Sequence, residues 1–140
     1  MESFSWPVRV YYEDTDSGGV VYYANYLRFM ERARTEWLRR LGIEQDRVRE
    51  QDGVLFAVTH VDVAYLKPAR FNDALQVSVT LTERGRASMS FAQTVSRQDA
   101  AHTELCRGRI KIACLDAQRL RPRPIPPYIV TEIQNNGDCS

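Results

Sequence analysis

A single stretch of this chain carries a long helical period, and it decides what the rest must do. Tyr26, Leu27, Met30, Ala33, Trp37, Leu38 and Leu41 recur at helical spacing, with Arg28, Glu31, Arg32, Glu36 and Arg39 on the other faces. This is the pattern of an amphipathic helix with a wide apolar stripe. The spacing predicts a helix over 23–41, ended by Gly42, with Arg39 and Arg40 against the negative end of its dipole. A stripe that wide needs a sheet to lie on.

The rest of the sequence supplies the sheet. Residues 8–13, VRVYYE, read as a first strand. In 54–66, VLFAVTHVDVAYL, apolar residues fall on both faces, as expected of a strand covered on both sides. Leu75, Val77, Val79 and Leu81 alternate with polar residues over 74–83, and Arg84-Gly85-Arg86 forms a tight hairpin connection. Strands at 87–97 and 101–115 follow, the latter placing Cys106, Ile110, Ile112 and Cys114 on its apolar side. The order implies an α+β fold, a curved five-stranded antiparallel sheet wrapped around one long helix. Residues 1–126 form one domain, without repeats. Residues 127–140 form a tail with a short helix over 127–134 and disorder beyond it. Such a sheet leaves edges bare, which a second copy of the chain would cover.

Several functions are excluded. A net charge of +1 over 140 residues argues against a nucleic-acid binder. No apolar run approaches the roughly 18 residues of a membrane span, and the N-terminus lacks a secretory pattern, so a cytoplasmic location is expected. Cys106, Cys114 and Cys139 make neither a CxxC pair nor a disulfide framework, and read as two core residues and one tail thiol. No P-loop, GxGxxG or GxSxG motif is present. His60 and His102, each read as mid-strand, have no second ligand at metal spacing, so no zinc site is expected. His60 reads as a hydrogen-bonded structural residue.

Chemistry concentrates in 11–26, YYEDTDSGGVVYYANY. Asp14 and Asp16 before a glycine pair make good turn chemistry, and an acidic turn is the plain reading. The second reading starts from the glycines and the helix entry beyond them. Gly18 and Gly19 let backbone approach a bound group, and Val20 to Tyr26 bring the free N–H groups of a helix start to the same place. Such N–H groups stabilise a negative oxygen developing on a carbonyl, and a carboxylate opposite them attacks that carbonyl or activates a water. Tyr11, Tyr12, Tyr22, Tyr23 and Tyr26 would wall the pocket.

The stretch VRVYYEDTDSGGVVYYANYLRFMERARTEWLRRLGI resembles the signature of hotdog-fold acyl-CoA thioesterases of the 4-hydroxybenzoyl-CoA thioesterase family, and most of all the YbgC-like, Tol-Pal-associated branch. The likeness continues through VDVAYLKPARFNDALQVSVTL to about Pro124. It implies a hotdog fold, with Asp16 as catalytic nucleophile or general base. The Tyr23 backbone N–H would face the thioester carbonyl, and Tyr12 would be a supporting residue. The YbgC-like branch commonly carries histidine where this chain has Tyr23, and the benzoyl-CoA branch carries tyrosine. The resemblance also implies dimers with sites at the interface, or dimers of dimers.

The substrate implied is an acyl-CoA of short, long or aromatic acyl group, with coenzyme A as part of the substrate and no metal or other cofactor. Coenzyme A phosphates call for cations. Lys67, Arg70, Arg84 and Arg86 stand at strand ends and turns as candidates, with Gly19 and Tyr22 nearer the reacting group. The plain reading of these arginines is solvated hairpin residues. A second functional class is a non-catalytic hotdog adaptor that binds acyl carrier protein or enzymes of lipid synthesis, for which the Tyr23 departure is the sequence argument.

Overall fold

The computed structural model describes residues 4–136. In chain order it has β1 (Phe4–Arg9), α1 (Asn25–Arg40), α2 (Gln45–Asp52), β2 (Val54–Tyr65), β3 (Ala74–Arg84), β4 (Ser88–Arg97), β5 (Glu104–Asp116) and α3 (Pro127–Asn135). The five strands form one antiparallel sheet in the order β1-β3-β4-β5-β2. The sheet curls around α1, giving the α+β hotdog arrangement.

The helix lies where its stripe demands. Tyr26, Phe29, Met30, Ala33, Trp37 and Leu38 are buried against the alternating inward residues of β3, β4 and β5, and Trp37 meets Phe91 edge-on at 5.4 Å between centroids. Burying each large apolar side chain of this kind contributes about 1.5–3 kcal/mol. Gly108 of β5 is what lets the helix come so close. A Cβ there would stand 3.1 Å from both Sδ and Cε of Met30. Gly42 adopts φ +81° just past the helix, in the left-handed conformation expected of it.

Four departures from these expectations stand out. The first strand is Phe4–Arg9 rather than 8–13, because residues 12–14 close into a 3-10 turn, held by the Tyr11 N–H donating to Asp14 Oδ2 at 2.8 Å. The short helix α2 follows α1 and leaves no period to read, since Val48 is the one apolar residue in QDRVREQD. His102 lies in the turn before β5 with φ +48°, not in a strand.

The fourth departure concerns β2, which is an edge strand and not a covered one. Its register with β5 shifts between Val58 and His60. Such a bulge inserts one residue and switches which parity faces inward. Val54, Phe56 and Val58 face the helix before it, and Val61, Val63 and Tyr65 after it. Val58 and Val61 line one cavity with Leu27 of α1, and Tyr65 packs on Tyr26. The apolar residues that a strict period of two spreads over both faces therefore belong to one. His60 is left exposed on the outer side, its ring Nδ1 3.2 Å from Thr59 Oγ1. The short tail helix is present as α3, while the expected disorder of the last residues, and Cys139, fall outside the described residues.

Candidate active site

Residues 14–22 fold into a small hairpin that fixes the entry to α1. The Asp14 carbonyl accepts hydrogen bonds from the Tyr22 N–H at 3.0 Å and from Asn25 Nδ2 at 2.9 Å, so the first helical residue is tied to the acidic turn. Thr15 pairs with Val21, and the Asp16 N–H donates to the Val20 carbonyl at 2.8 Å. Gly19 closes the turn at φ +79°, a conformation costly for any residue with a side chain.

The hairpin is anchored to the connection between β2 and β3. The Val21 N–H donates to the Ala69 carbonyl at 2.8 Å, the Ala69 N–H donates to the buried Tyr26 Oη at 2.9 Å, and Val20 bridges Arg70. Arg97 holds that connection from β4, with Nε 3.3 Å from Asp73 Oδ2 and Nη2 donating to the Pro68 carbonyl at 3.2 Å. Arg97 is a residue that sequence reasoning missed. Nothing in its strand pattern marks it, since its partners lie on another loop.

The two acids divide the work. Asp14 turns its carboxylate back onto the Tyr11 N–H and is spent on the 3-10 turn. Asp16 is exposed, with Oδ1 accepting the Gly18 N–H at 2.8 Å and Oδ2 without a partner among the described residues. Turn chemistry and a reactive carboxylate are thus compatible, because the turn uses only one of its oxygens.

At the start of α1 no side chain caps the helix at Ala24, and the N–H groups of Tyr23 and Ala24 meet no acceptor among the described residues. Such unspent amides carry the positive end of the helix dipole. Along the hairpin, Tyr23 stands three residues from Val20, the partner of Asp16, or about 10 Å of extended chain.

Aromatic rings surround this place. Tyr22 and Tyr23 lie 4.8 Å apart, Tyr23 meets Tyr65 at 5.9 Å, Tyr26 meets Tyr65 at 5.6 Å, and Tyr12 meets Phe71 edge-on at 6.0 Å. Tyr65 and Phe71 were not singled out from the sequence, although the parity switch in β2 would have put Tyr65 on the helix side. Burial pushes the Tyr26 and Tyr65 phenols up, and a hydrogen bond to Tyr23 does the same for Tyr22. All three stay neutral at ordinary pH and present hydroxyls rather than charge.

The proposed cations separate into two groups. Arg70 and Lys67 lie on the β2–β3 connection beside the hairpin, exposed, with the Lys67 N–H donating to the Leu105 carbonyl. Arg84 and Arg86 stand at the other end of β3, about 33 Å away at the rise of an extended strand. Within one chain they do not reach the hairpin. Among the described residues no cluster of acidic, histidine or cysteine side chains has the makings of a metal site, and no helix is long and apolar enough to cross a membrane.

Comparison with known proteins points the same way. Residues 10–133 match the model of the Thioesterase-like superfamily. The acyl-CoA thioester hydrolase YbgC of Escherichia coli O6:H1 is 41% identical over 131 residues, covering 94% of this chain and 96% of that protein. The acyl-CoA thioesterase YbgC of Haemophilus influenzae is 42% identical over 126 residues, covering 90% of each. In fold, the chain superposes on the 1,4-dihydroxy-2-naphthoyl-CoA thioesterase Slr0204 of Synechocystis with a TM-score of 0.88 and 22% identity, over 99% of this chain and 100% of the other. With identity above 40% sustained over nearly the full length of the YbgC proteins, this chain belongs to the Thioesterase-like superfamily, in its YbgC-type branch of acyl-CoA thioester hydrolases.

Proposed function

We propose that the chain hydrolyses acyl-CoA thioesters at the 14–22 hairpin and the helix entry that follows it, with the Asp16 carboxylate and the Tyr23 and Ala24 amides acting on one thioester from opposite sides. The observation that carries this reading is the occurrence, within residues 16–24, of a carboxylate oxygen free of partners and two backbone N–H groups free of acceptors, among the described residues. Kinship with the YbgC proteins supports the reaction class.

The chemistry balances with water alone. The amides bind the carbonyl oxygen as it gains negative charge, and they are already oriented, so no reorganisation is needed during the reaction. Asp16 either takes a proton from the attacking water or attacks the carbonyl carbon itself, giving an anhydride that water then opens. In both routes the carbon–sulfur bond breaks, the thiolate of coenzyme A leaves and is protonated, and the free acid departs. Coenzyme A enters as part of the substrate, and no metal or redox group takes part. Arg70 and Lys67 are the cations placed to meet its phosphates, with Gly19 giving the chain its close approach.

Tyr12, Tyr22, Tyr23, Tyr65 and Phe71 are exposed in the single chain, and the edge of β2 is unpaired. A second copy paired along β2 would cover both and exclude water from the thioester. We therefore assign the working form as a dimer or a dimer of dimers. In such an assembly Arg84 and Arg86 of one chain can serve only the site of another.

Replacing Asp16 by Asn tests the reading. Release of free thiol from acyl-CoA should fall about 100- to 10,000-fold, the range of a lost general base, with the unfolding midpoint unchanged. A variant that keeps the wild-type rate would refute the assignment.

A further inference from the structure

A cavity of about 520 Å³ lies between α1 and β2, with Leu27, Val58, Val61 and Ile110 on its apolar side and Arg28, Glu31, Arg32 and the buried Arg34 on its charged side. Arg34 also borders a smaller cavity of about 130 Å³ further along the helix. This arginine is only 8% exposed, yet among the described residues no carboxylate lies within ion-pair distance of it. Its guanidinium makes one hydrogen bond, from Nη1 to Gln93 Oε1 at 2.8 Å. Gln93 is 0% exposed and is itself fixed, its Nε2 donating to the carbonyls of Met30 at 3.0 Å and Ser78 at 3.2 Å.

The arrangement is a built one. Gln93 can present its amide oxygen to Arg34 only because its amide nitrogen is held by two backbone carbonyls. The remaining guanidinium donors are left unspent beside that cavity. A buried cation in that state costs free energy that an anion arriving in the cavity would recover. Burial also pushes the arginine's pKa down, against the opposing pull of Glu31. Glu31 borders the same cavity, but its Oε2 accepts from Thr35 at 3.4 Å rather than from Arg34.

The cavity and the Tyr23–Tyr65 contact lie along the same seam between α1 and β2. Leu27 stands four residues after Tyr23 and Val61 four before Tyr65, so a trough from the Tyr23–Tyr65 pair to Val58 and Arg34 would follow that seam. From Ala24 to Arg34 the helix advances about 15 Å, a distance that a medium-length acyl chain and the arginine side chain span together. Resting on the reading of the chain as an acyl-CoA thioesterase, we propose that the acyl group lies in this trough and that Arg34, aimed by Gln93, selects acyl groups whose far end carries a carboxylate. The second copy paired along β2 would close the trough's open side.

The test compares acyl-CoAs matched in carbon number, such as adipoyl-CoA with hexanoyl-CoA and suberoyl-CoA with octanoyl-CoA. Binding is measured to the full chain carrying Asp16→Asn, so that turnover does not interfere. The better-fitting carboxylated ligand should bind about 10- to 100-fold more tightly than its neutral partner, the range of a hydrogen bond to a charged group. Adding Arg34→Met should bring that ratio close to one. Gln93→Glu, which keeps the side chain's shape and gives Arg34 an internal partner, should do the same without emptying the core, and Glu31→Gln should raise the ratio. Equal binding in every pair, or a ratio that neither Arg34→Met nor Gln93→Glu alters, would overturn the proposal. So would an Arg34→Met variant that loses its oligomer while keeping the ratio, which would make Arg34 an interface residue. Failure of the wild-type chain to hydrolyse any of the four, with the binding ratio intact, would strike the thioesterase reading and leave the role of Arg34 standing.

Discussion

The two flanks of α1 are built from similar residues and end in different states. Toward β3 and β4, Leu75, Val77, Leu81, Met89, Phe91 and Val95 are nearly inaccessible, and the strands alternate inward and outward without interruption over most of their length. Toward β2, Val58 and Val61 are 49% and 47% exposed although they face the same helix. The difference lies in position and not in composition. Strands in the middle of the sheet have neighbours on both sides, whereas β2 has β5 on one side only and a bulge in its middle. The closed flank keeps the shape, and the open flank is left with room for a ligand and a partner.

The largest expected effect breaks the closed flank by register. Deleting Ser78 from β3 would put Val77 and Val79 on opposite faces, and half of that strand's inward residues would turn out. We expect a chain that no longer folds, seen as loss of a cooperative denaturation transition. Deleting Thr59 from β2 should act differently, because it removes the extra residue of the bulge and leaves Val58, Val61, Val63 and Tyr65 facing α1. Stability should fall by no more than about 1–2 kcal/mol. Equal loss in both variants would mean that the bulge, rather than the parity it corrects, holds β2 in place.

The next effect contrasts volume lost on each side. Phe91→Ala opens a cavity under Trp37 and should cost about 3–5 kcal/mol by denaturant titration. Val61→Ala removes a half-exposed side chain and should cost less than about 1 kcal/mol in the dissociated chain. If the Val61 cost grows with protein concentration, a second copy covers that flank in the native state.

The same contrast explains what could be read in the sequence. The long helix, the strands β3 to β5 and the Arg84–Arg86 hairpin follow from periods that burial enforces, so the residues themselves announce them. β2 carried a regular signal that a period of two misread, since a single inserted residue moves the apolar set from even to odd positions. α2 was silent because one buried residue, Val48, makes no period. In the candidate site, the hairpin from Asp14 to Asn25 is local, and its turn residues spell it out. Tyr65, Phe71, Arg97 and the Arg34–Gln93 pair reach their places through contacts far apart in the chain, which no local pattern encodes.

The last effect appears only at alkaline pH and lies on the boundary between the flanks. Cys106 of β5 pairs with Val95 of β4 on one side and with Tyr65 of β2 on the other. It is 0% exposed, and burial pushes its thiol up to about 11. An unfolded cysteine titrates near 8.5. The native state therefore holds a proton that the unfolded state releases, and this contribution is fully present below about pH 8.5. It is lost as pH rises from there through 11, and amounts to about 3 kcal/mol. Cys114 is shifted in the same direction by burial and adds to the slope, while the Tyr26 and Tyr65 phenols enter only above their own ordinary range. Cys106→Ala should flatten the fall in unfolding free energy between pH 8.5 and 10, measured against the parent in the same titration. An unchanged slope would mean that water already reaches the thiol past Tyr65, and that the open flank extends one strand deeper than β2.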